Sequence, residues 1–177
     1  MKPTVFFDVD TQIDFMFPAG GLYVPGAEHV LANVARLNRH AADRGIPLVS
    51  TVDAHLEDDP EFRHYPPHCI VGTVGQAKPQ CTIVPGQILL PKQSVDCFTA
   101  PELPDLLRGL AGQRYVVYGV VTEICVMHAA TGLLATGAEV EIVEDAVRHL
   151  DSTRRDDFLR RFIDSGGRLA STDQVVG

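Results

Sequence analysis

The chain has 177 residues, a size typical of one domain, and 45% of them are hydrophobic, which is enough to fill a core. Its net charge of −8 and the absence of a long basic run argue against nucleic acid or an anionic membrane surface as a partner. The opening segment MKPTVFFDVD has too short an apolar run for a signal peptide or a membrane span, so we expect a cytoplasmic protein with a single domain over residues 1–177.

Predicted strands and helices alternate along the chain. A strand from Thr4 to Asp10 precedes a helix from Ala27 to Arg44 and a second strand from Pro47 to Val52. This alternation predicts an α/β fold, with a parallel sheet covered by helices. The later elements repeat it, with strands at Ile88–Lys92, Tyr115–Val120 and Glu139–Val143 and helices near Leu103–Leu110, Glu123–Thr136 and Ser152–Asp164.

Residues 53–87 form a long segment rich in Pro, Gly, His and acidic residues, with little periodicity. Loops of that length in compact domains are usually functional or disordered. Ligands of parallel α/β sheets bind at the carboxyl ends of the strands. Since Asp10, Asp53, Lys92 and the turn Thr122 to Cys125 each follow a predicted strand, we expect them to meet at one rim of the sheet.

Cys125 is the candidate nucleophile among four cysteines that show no paired spacing and are expected to be free thiols. It lies in the predicted first turn of a helix, where unpaired amides and the helix dipole favour a thiolate. The alternative is a small buried residue without chemistry. His128 lies one turn further on, where a histidine packed on its own helix is the simpler interpretation.

Asp10 and Lys92 are the candidate partners of this thiol. A carboxylate near a thiol can accept its proton, and a nearby cation lowers the thiol pKa and balances a developing oxyanion. Without a tertiary structure, Asp10 could equally cap a turn, and Lys92 could be a solvated surface charge.

A group of acidic and histidine side chains in the long segment suits a transition metal. Oxygen and imidazole ligands together favour zinc, iron or manganese over calcium. Asp53 and His55 are two residues apart and would point the same way from an extended segment. His68 follows two prolines, which leaves Glu61 and His64 as alternatives for a further ligand, and an ordinary acidic loop is the competing interpretation.

Five short motifs carry a resemblance that covers nearly the whole chain. They are DTQIDF at residues 10–15, VDAH at 52–55, PPHCIVGTVG at 66–75, PK at 91–92 and GVVTEICV at 119–126. Each is weak alone, but together and in this order they resemble the isochorismatase-like cysteine hydrolases, and within that family the nicotinamidase branch. The resemblance implies one domain with a parallel sheet of five or six strands and helices on both faces.

The resemblance also assigns roles. It makes Asp10 the base, Lys92 the supporting cation and Cys125 the nucleophile, with a cis peptide at Val120-Val121 and oxyanion donors in the amides of Val121 and Cys125. The implied metal ligands are Asp53, His55, Glu61 and His68, with Glu61 preferred to His64. The implied cofactor is a divalent metal, with zinc favoured over iron or manganese.

The implied reaction is deamidation of nicotinamide to nicotinate and ammonia, a step of NAD salvage. Phe15 and Tyr65 would pack on the pyridine ring, although Tyr65 stands where a tryptophan is common and Glu123 stands where many members carry Asp. The partner is thus a small-molecule amide, and assembly into a homo-oligomer stays open. Alternatives are a metal-free isochorismatase, an amidase for another small amide, or a non-catalytic relative that binds a metal or ligand.

Overall fold

A six-stranded sheet in which every strand pair is parallel forms the centre of the fold. The computed structural model describes residues 2–177. The strands are β1 (Thr4–Val9), β2 (Leu48–Asp53), β3 (Ile88–Lys92), β4 (Arg114–Val120), β5 (Glu139–Arg148) and β6 (Arg168–Ala170). Their order is β3-β2-β1-β4-β5-β6, so the direction of winding reverses between β1 and β4. This arrangement confirms the predicted α/β class and opens a crevice at that point.

Helices cover both faces of the sheet. They are α1 (Ile13–Met16), α2 (Leu31–Asp43), α3 (Leu103–Leu110), α4 (Met127–Ala135), α5 (Ser152–Asp164) and α6 (Thr172–Val176). Helices α1 and α2 pack on one hydrophobic cluster, whereas α3, α4 and α5 pack on the other. Among residues 2–177, no helix is both long and apolar enough to cross a bilayer.

The alternation of side chains along β1 explains why the core has two halves. Phe6 belongs to the cluster under α2, and its neighbour Phe7 belongs to the cluster under α4 and α5. Both rings are at most 2% exposed. A parallel strand with helices on both sides must be apolar on both faces, which is why the segment reads as a continuous apolar run.

The elements that differ from the predictions are short or interrupted by charge. Strand β5 continues to Arg148, five residues beyond the predicted end, because Glu144 and Asp145 interrupt its apolar run. Strand β6 has three residues and α1 has four, too few for a periodic signal. The predicted helix at Glu123 begins instead as a wide turn, Thr122–Val126, followed by α4.

The long segment after β2 is ordered through hydrogen bonds to the rest of the chain. His55 and Ile70 form a parallel bridge, in which the His55 amide donates to the Cys69 carbonyl and the Val71 amide donates to the His55 carbonyl. Two turns of 3-10 helix, Pro60–Arg63 and Gln80–Thr82, add local structure. Of the two expectations for a loop of this length, functional or disordered, disorder is therefore wrong, since the segment forms a structured wall beside the sheet.

A buried ion pair attaches the end of this segment to β1. Lys78 Nζ lies 2.9 Å from Asp8 Oδ2, and both side chains are at most 3% exposed. The Asp8 carboxylate also accepts hydrogen bonds from Thr11, Asn38 and Ser50. Since Thr11 directly follows Asp10, the pair also supports the backbone at the candidate base.

Replacing Lys78 by methionine should lower the free energy of unfolding by about 3–5 kcal/mol, because it leaves the buried Asp8 carboxylate without its cation. Arg36→Met is the matched control, since Arg36 forms an exposed ion pair with Asp173 that should contribute less than about 1 kcal/mol. Urea denaturation followed by circular dichroism measures both changes. Equal losses in the two variants would contradict a structural role for the buried pair.

Candidate active site

Four neighbouring segments bring the candidate residues to one rim of the sheet. Asp10 directly follows β1, Asp53 ends β2 and Lys92 ends β3, while Cys125 lies in the turn after β4. In the sheet register, Asp53 stands directly beside Lys92. The convergence predicted from the strand ends is thus observed.

Asp10 is fully buried and tightly held. Its φ of 49° lies in the left-handed region, which is uncommon for a residue with a side chain. The Thr51 hydroxyl donates a 2.6 Å hydrogen bond to Oδ1, and the Asp10 amide donates to the Thr51 carbonyl. Burial raises the pKa of this carboxyl, although the charge of Lys92 opposes the shift.

Lys92 is the cation of the site. Its Nζ lies 2.8 Å from Asp10 Oδ2, donates to the Ser94 carbonyl at 2.9 Å, and donates a further short hydrogen bond to Asp53. Burial acts to lower the pKa of the ammonium, but the surrounding Asp10, Cys125 and Asp53 outweigh it and raise the pKa well above its usual value. Lys92 is therefore a permanent positive charge between two carboxylates.

Asp10 Oδ2 faces the Lys92 ammonium. The two atoms lie 2.8 Å apart as an ion pair, while the Thr51 hydroxyl holds the other carboxylate oxygen. The carboxyl also acts on Cys125, since a hydrogen bond to Asp10 is one of the causes that raise the pKa of the thiol. Asp10 is thus placed to accept the thiol proton.

Cys125 is 8% exposed and faces the pocket. Burial raises the pKa of its thiol well above the usual value; the cation of Lys92 lowers it, but Asp10 adds to the increase. This differs from the thiolate that the helix position favoured, because burial and the neighbouring carboxylates outweigh the dipole and the lysine. The thiol is therefore protonated at rest and requires a base.

The turn before Cys125 has the backbone that the resemblance implied. The Val120-Val121 peptide bond is cis. The residues that would supply the oxyanion donors, Val121 and Cys125, both line the pocket. His128, the alternative partner of the thiol, instead lies 3.8 Å from Asp96 and is absent from the residues that line this pocket.

Three candidate metal ligands form a compact buried group beside the thiol. The ligand atoms of Asp53, His55 and His68 all lie within 4.8 Å of one another. The Nε2 atoms of His55 and His68 are each 3.8 Å from Asp53 Oδ2. This set of one carboxylate and two imidazoles is suitable for a transition metal.

The hydrogen bonds of the two histidines point their free nitrogens at this group. His55 Nδ1 pairs with Asp59 at 2.9 Å, and His68 Nδ1 pairs with the Pro66 carbonyl at 2.8 Å. His55 Nε2 is buried without a hydrogen-bond partner in residues 2–177. Imidazole ligands of metals typically donate their other N–H in this way. The residues present therefore fit a divalent metal.

Charge at this group also favours a cation. Burial acts to lower the pKa of His55, but the nearby Asp53 carboxylate and the hydrogen bond from Nδ1 to Asp59 raise it to about 9. Such a carboxylate-rich environment stabilises positive charge. A metal ion that displaced the histidine proton would satisfy the same demand.

Glu61 and His64 occupy different environments. Glu61 Oε1 lies 4.0 Å from His68 Nε2, and Glu61 lines the pocket, whereas His64 is exposed directly after the short helical turn that carries Glu61. The geometry thus places Glu61, and not His64, at the edge of the candidate metal group. Sequence spacing alone could not separate the two.

The remaining wall of the pocket is apolar. Phe15, 5% exposed, lies 5.3 Å from the His68 ring between centroids, and Tyr65 is 38% exposed at the same pocket. The aliphatic residues that line it are Leu22, Val24, Val95, Val121, Ile124 and Leu150. No arginine side chain lines the pocket within residues 2–177, and Lys92 is already paired.

Two residues that sequence reasoning did not single out support the candidate ligands. The Gln12 amide receives a hydrogen bond from the Asp53 N–H and donates one to the Asp53 carbonyl. Asp14 accepts from the amides of Gly21 and Cys69, and a Cβ at Gly75 would collide with its carboxylate. The only signal for them was their place in the DTQIDF motif, because long-range hydrogen bonds leave no periodicity.

Comparison with known proteins identifies the class of this fold and site. The family model described as Isochorismatase domain matches residues 4–174. The chain therefore belongs to the isochorismatase family.

The relatives include amidohydrolases. Nicotinamidase 1 of Arabidopsis thaliana is 34% identical over 134 residues, which are 64% of this chain and 51% of that protein, so the chain spans about half the length of the curated relative it matches. The zinc complex of Pyrococcus horikoshii pyrazinamidase is 27% identical with a TM-score of 0.89, covering 96% of this chain and 99% of that one. N-carbamoylsarcosine amidase of Thermoplasma acidophilum is 28% identical with a TM-score of 0.85, covering 100% of both chains. These likenesses confirm the resemblance to nicotinamidases and the predicted hydrolase fold.

Proposed function

We propose that this protein is a metal-dependent cysteine amidohydrolase that deamidates nicotinamide to nicotinate. The observation that carries the proposal is that Cys125, Asp53 and His68 line one small apolar pocket, while His55, Lys92 and Asp10 stand behind it in contact with this group. A thiol and a base are the parts that nucleophilic amide hydrolysis requires, and a metal group beside them is suited to hold a pyridine nitrogen.

Asp10 activates the nucleophile. The raised pKa of the Asp10 carboxyl improves its ability to accept a proton, and a hydrogen bond to Asp10 is among the causes that raise the pKa of the Cys125 thiol. Asp10 takes the thiol proton as Cys125 sulfur attacks the amide carbon. After this proton transfer, the positive charge of Lys92 balances the negative charge of the Cys125 thiolate.

The leaving group departs with the same proton. Attack forms a tetrahedral oxyanion, which the amides of Val121 and Cys125 stabilise. Asp10 then protonates the amide nitrogen, the C–N bond breaks, and ammonia leaves a thioester on Cys125. Asp10 then deprotonates a water molecule, which attacks the thioester and breaks the C–S bond. Asp10 returns this proton to the Cys125 sulfur, and nicotinate is released.

Asp53, His55, Glu61 and His68 would hold the metal. When bound, a divalent ion such as zinc would supply a Lewis acid for the pyridine nitrogen of the substrate. The residues of the chain do the remaining positioning: Phe15 packs against the ring from the His68 side, and Tyr65 covers it at the mouth of the pocket. Orientation of this kind holds the carboxamide over the sulfur.

The pocket lining disfavours the acidic substrates of other enzymes that share this fold. Isochorismate and N-carbamoylsarcosine carry carboxylates that require a cationic partner. The pocket offers aliphatic and aromatic walls and the acidic Asp53 and Glu61, while Lys92 is already bound to Asp10 and Asp53. A small neutral aromatic amide suits these walls.

An ammonia-release assay tests the proposal. The zinc-loaded protein should hydrolyse nicotinamide and pyrazinamide at least about 30-fold better in kcat/KM than benzamide, because benzamide lacks the ring nitrogen and forfeits about 2 kcal/mol or more of binding. Removal of the metal by a chelator should abolish most of the activity together with this preference. Comparable rates for benzamide and nicotinamide, or preferred hydrolysis of N-carbamoylsarcosine, would reject the nicotinamidase proposal.

A further inference from the structure

Leu150 is an exposed apolar residue at the mouth of the candidate pocket. It lies between the end of β5 and the start of α5 and lines the pocket together with His68 and Cys125. Its side chain is 51% exposed, although it shares this pocket with Cys125. A large, half-exposed apolar side chain in the same pocket as a thiol is well placed to contact a bound ring.

A buried carboxylate fixes the backbone of this residue. Glu123 is 3% exposed, and its Oε1 accepts the N–H of Leu150 at 2.8 Å and that of Asp151 at 2.7 Å. Asp151 in turn caps α5 by accepting from the amides of Thr153 and Arg154. Glu123 thus stands at the positive end of a 13-residue helix, which favours its negative charge.

The same carboxylate belongs to the turn of the candidate nucleophile. Glu123 comes two residues before Cys125, so one side chain joins this turn to the Leu150 wall. Its second oxygen, Oε2, is buried and has no partner among residues 2–177. Glu123 therefore holds both backbone amides through Oε1 alone.

We propose that Leu150 determines which ring substituents the pocket admits, and that Glu123 is the positioning residue that holds Leu150 in place. The inference rests on the proposed function. A nicotinamide held at its ring nitrogen and at its carboxamide directs carbon 5 away from both, toward the open mouth where Leu150 lies. A methyl group at carbon 5 then meets the leucine side chain.

The test compares kcat/KM for 5-methylnicotinamide and nicotinamide by ammonia release. The methyl substituent should reduce kcat/KM of the wild-type protein about tenfold or more, and Leu150→Ala should recover most of that loss, because the methyl group collides with the leucine side chain and one methyl group at an apolar wall changes discrimination by about 10- to 200-fold. Ile163→Ala on α5 is the control, since Ile163 is 48% exposed and absent from the pocket. It should leave the ratio of the two substrates unchanged.

Glu123 variants separate positioning from folding. Glu123→Ala loses the acceptor for both amides and should shift the substrate ratio in the same direction as Leu150→Ala, whereas Glu123→Gln keeps an acceptor oxygen and should restore the wild-type ratio. A purely structural role would lower the activity on both substrates equally. A ratio that stays within twofold of wild type in both Leu150→Ala and Glu123→Ala, while nicotinamide is still hydrolysed, would overturn this inference alone. Failure of the wild-type protein to hydrolyse nicotinamide would overturn the proposed function and this inference with it.

Discussion

Replacing Cys125 by alanine should reduce amide hydrolysis at least about 10⁴-fold while the protein remains folded, because loss of a nucleophile removes the chemical step and not the scaffold. No other thiol is placed to substitute, since the other three cysteines, Cys69, Cys81 and Cys97, do not line the pocket.

Cys97→Ala is the matched control, since Cys97 is a second buried thiol of the same hydrophobic cluster. Both substitutions remove one small side chain and should cost about 1 kcal/mol of stability. Ammonia release and thermal denaturation measure the two effects separately. Activity of Cys125→Ala within tenfold of wild type would remove Cys125 as the nucleophile.

Replacing His68 by alanine should lower metal affinity more than about 100-fold, since loss of even an outer-shell partner typically costs 10- to 100-fold. Hydrolysis of nicotinamide should fall with it. His68 is a cleaner test than Asp53, because Asp53 also pairs with Lys92 and its removal would disturb the candidate catalytic group. Elemental analysis of the purified proteins and competition with a chelator measure the affinity.

Glu61 and His64 supply the graded controls of that experiment. Glu61→Ala should reduce bound metal measurably, because its carboxylate lies 4.0 Å from His68, whereas His64→Ala should leave it unchanged because His64 is exposed. The reverse ranking would assign the further ligand to His64. Full metal content in His68→Ala would exclude the proposed centre altogether.

Local patterns were sufficient to predict most of the fold. Buried parallel strands are continuous apolar runs and covering helices have a 3.6-residue period, so β1 to β5 and α2 to α5 are visible in the sequence. Strand β6 and helices α1 and α6 were missed because elements of three to five residues carry no period. The convergence of Asp10, Asp53, Lys92 and Cys125 was also predictable, since the carboxyl ends of parallel strands share one edge.

Tertiary structure decided the features that depend on distance in space. Only the packed site places Glu61 beside His68 and leaves His64 in solvent, and only burial beside two carboxylates keeps the Cys125 thiol protonated against the helix dipole. The same holds for the hydrogen bonds from Glu123 to the Leu150 wall, which join residues 27 positions apart. Residue type and spacing determine which groups can react. Desolvation and long-range hydrogen bonds determine the protonation of these groups and which side chains surround them, because desolvation and such hydrogen bonds arise only when the segments pack together.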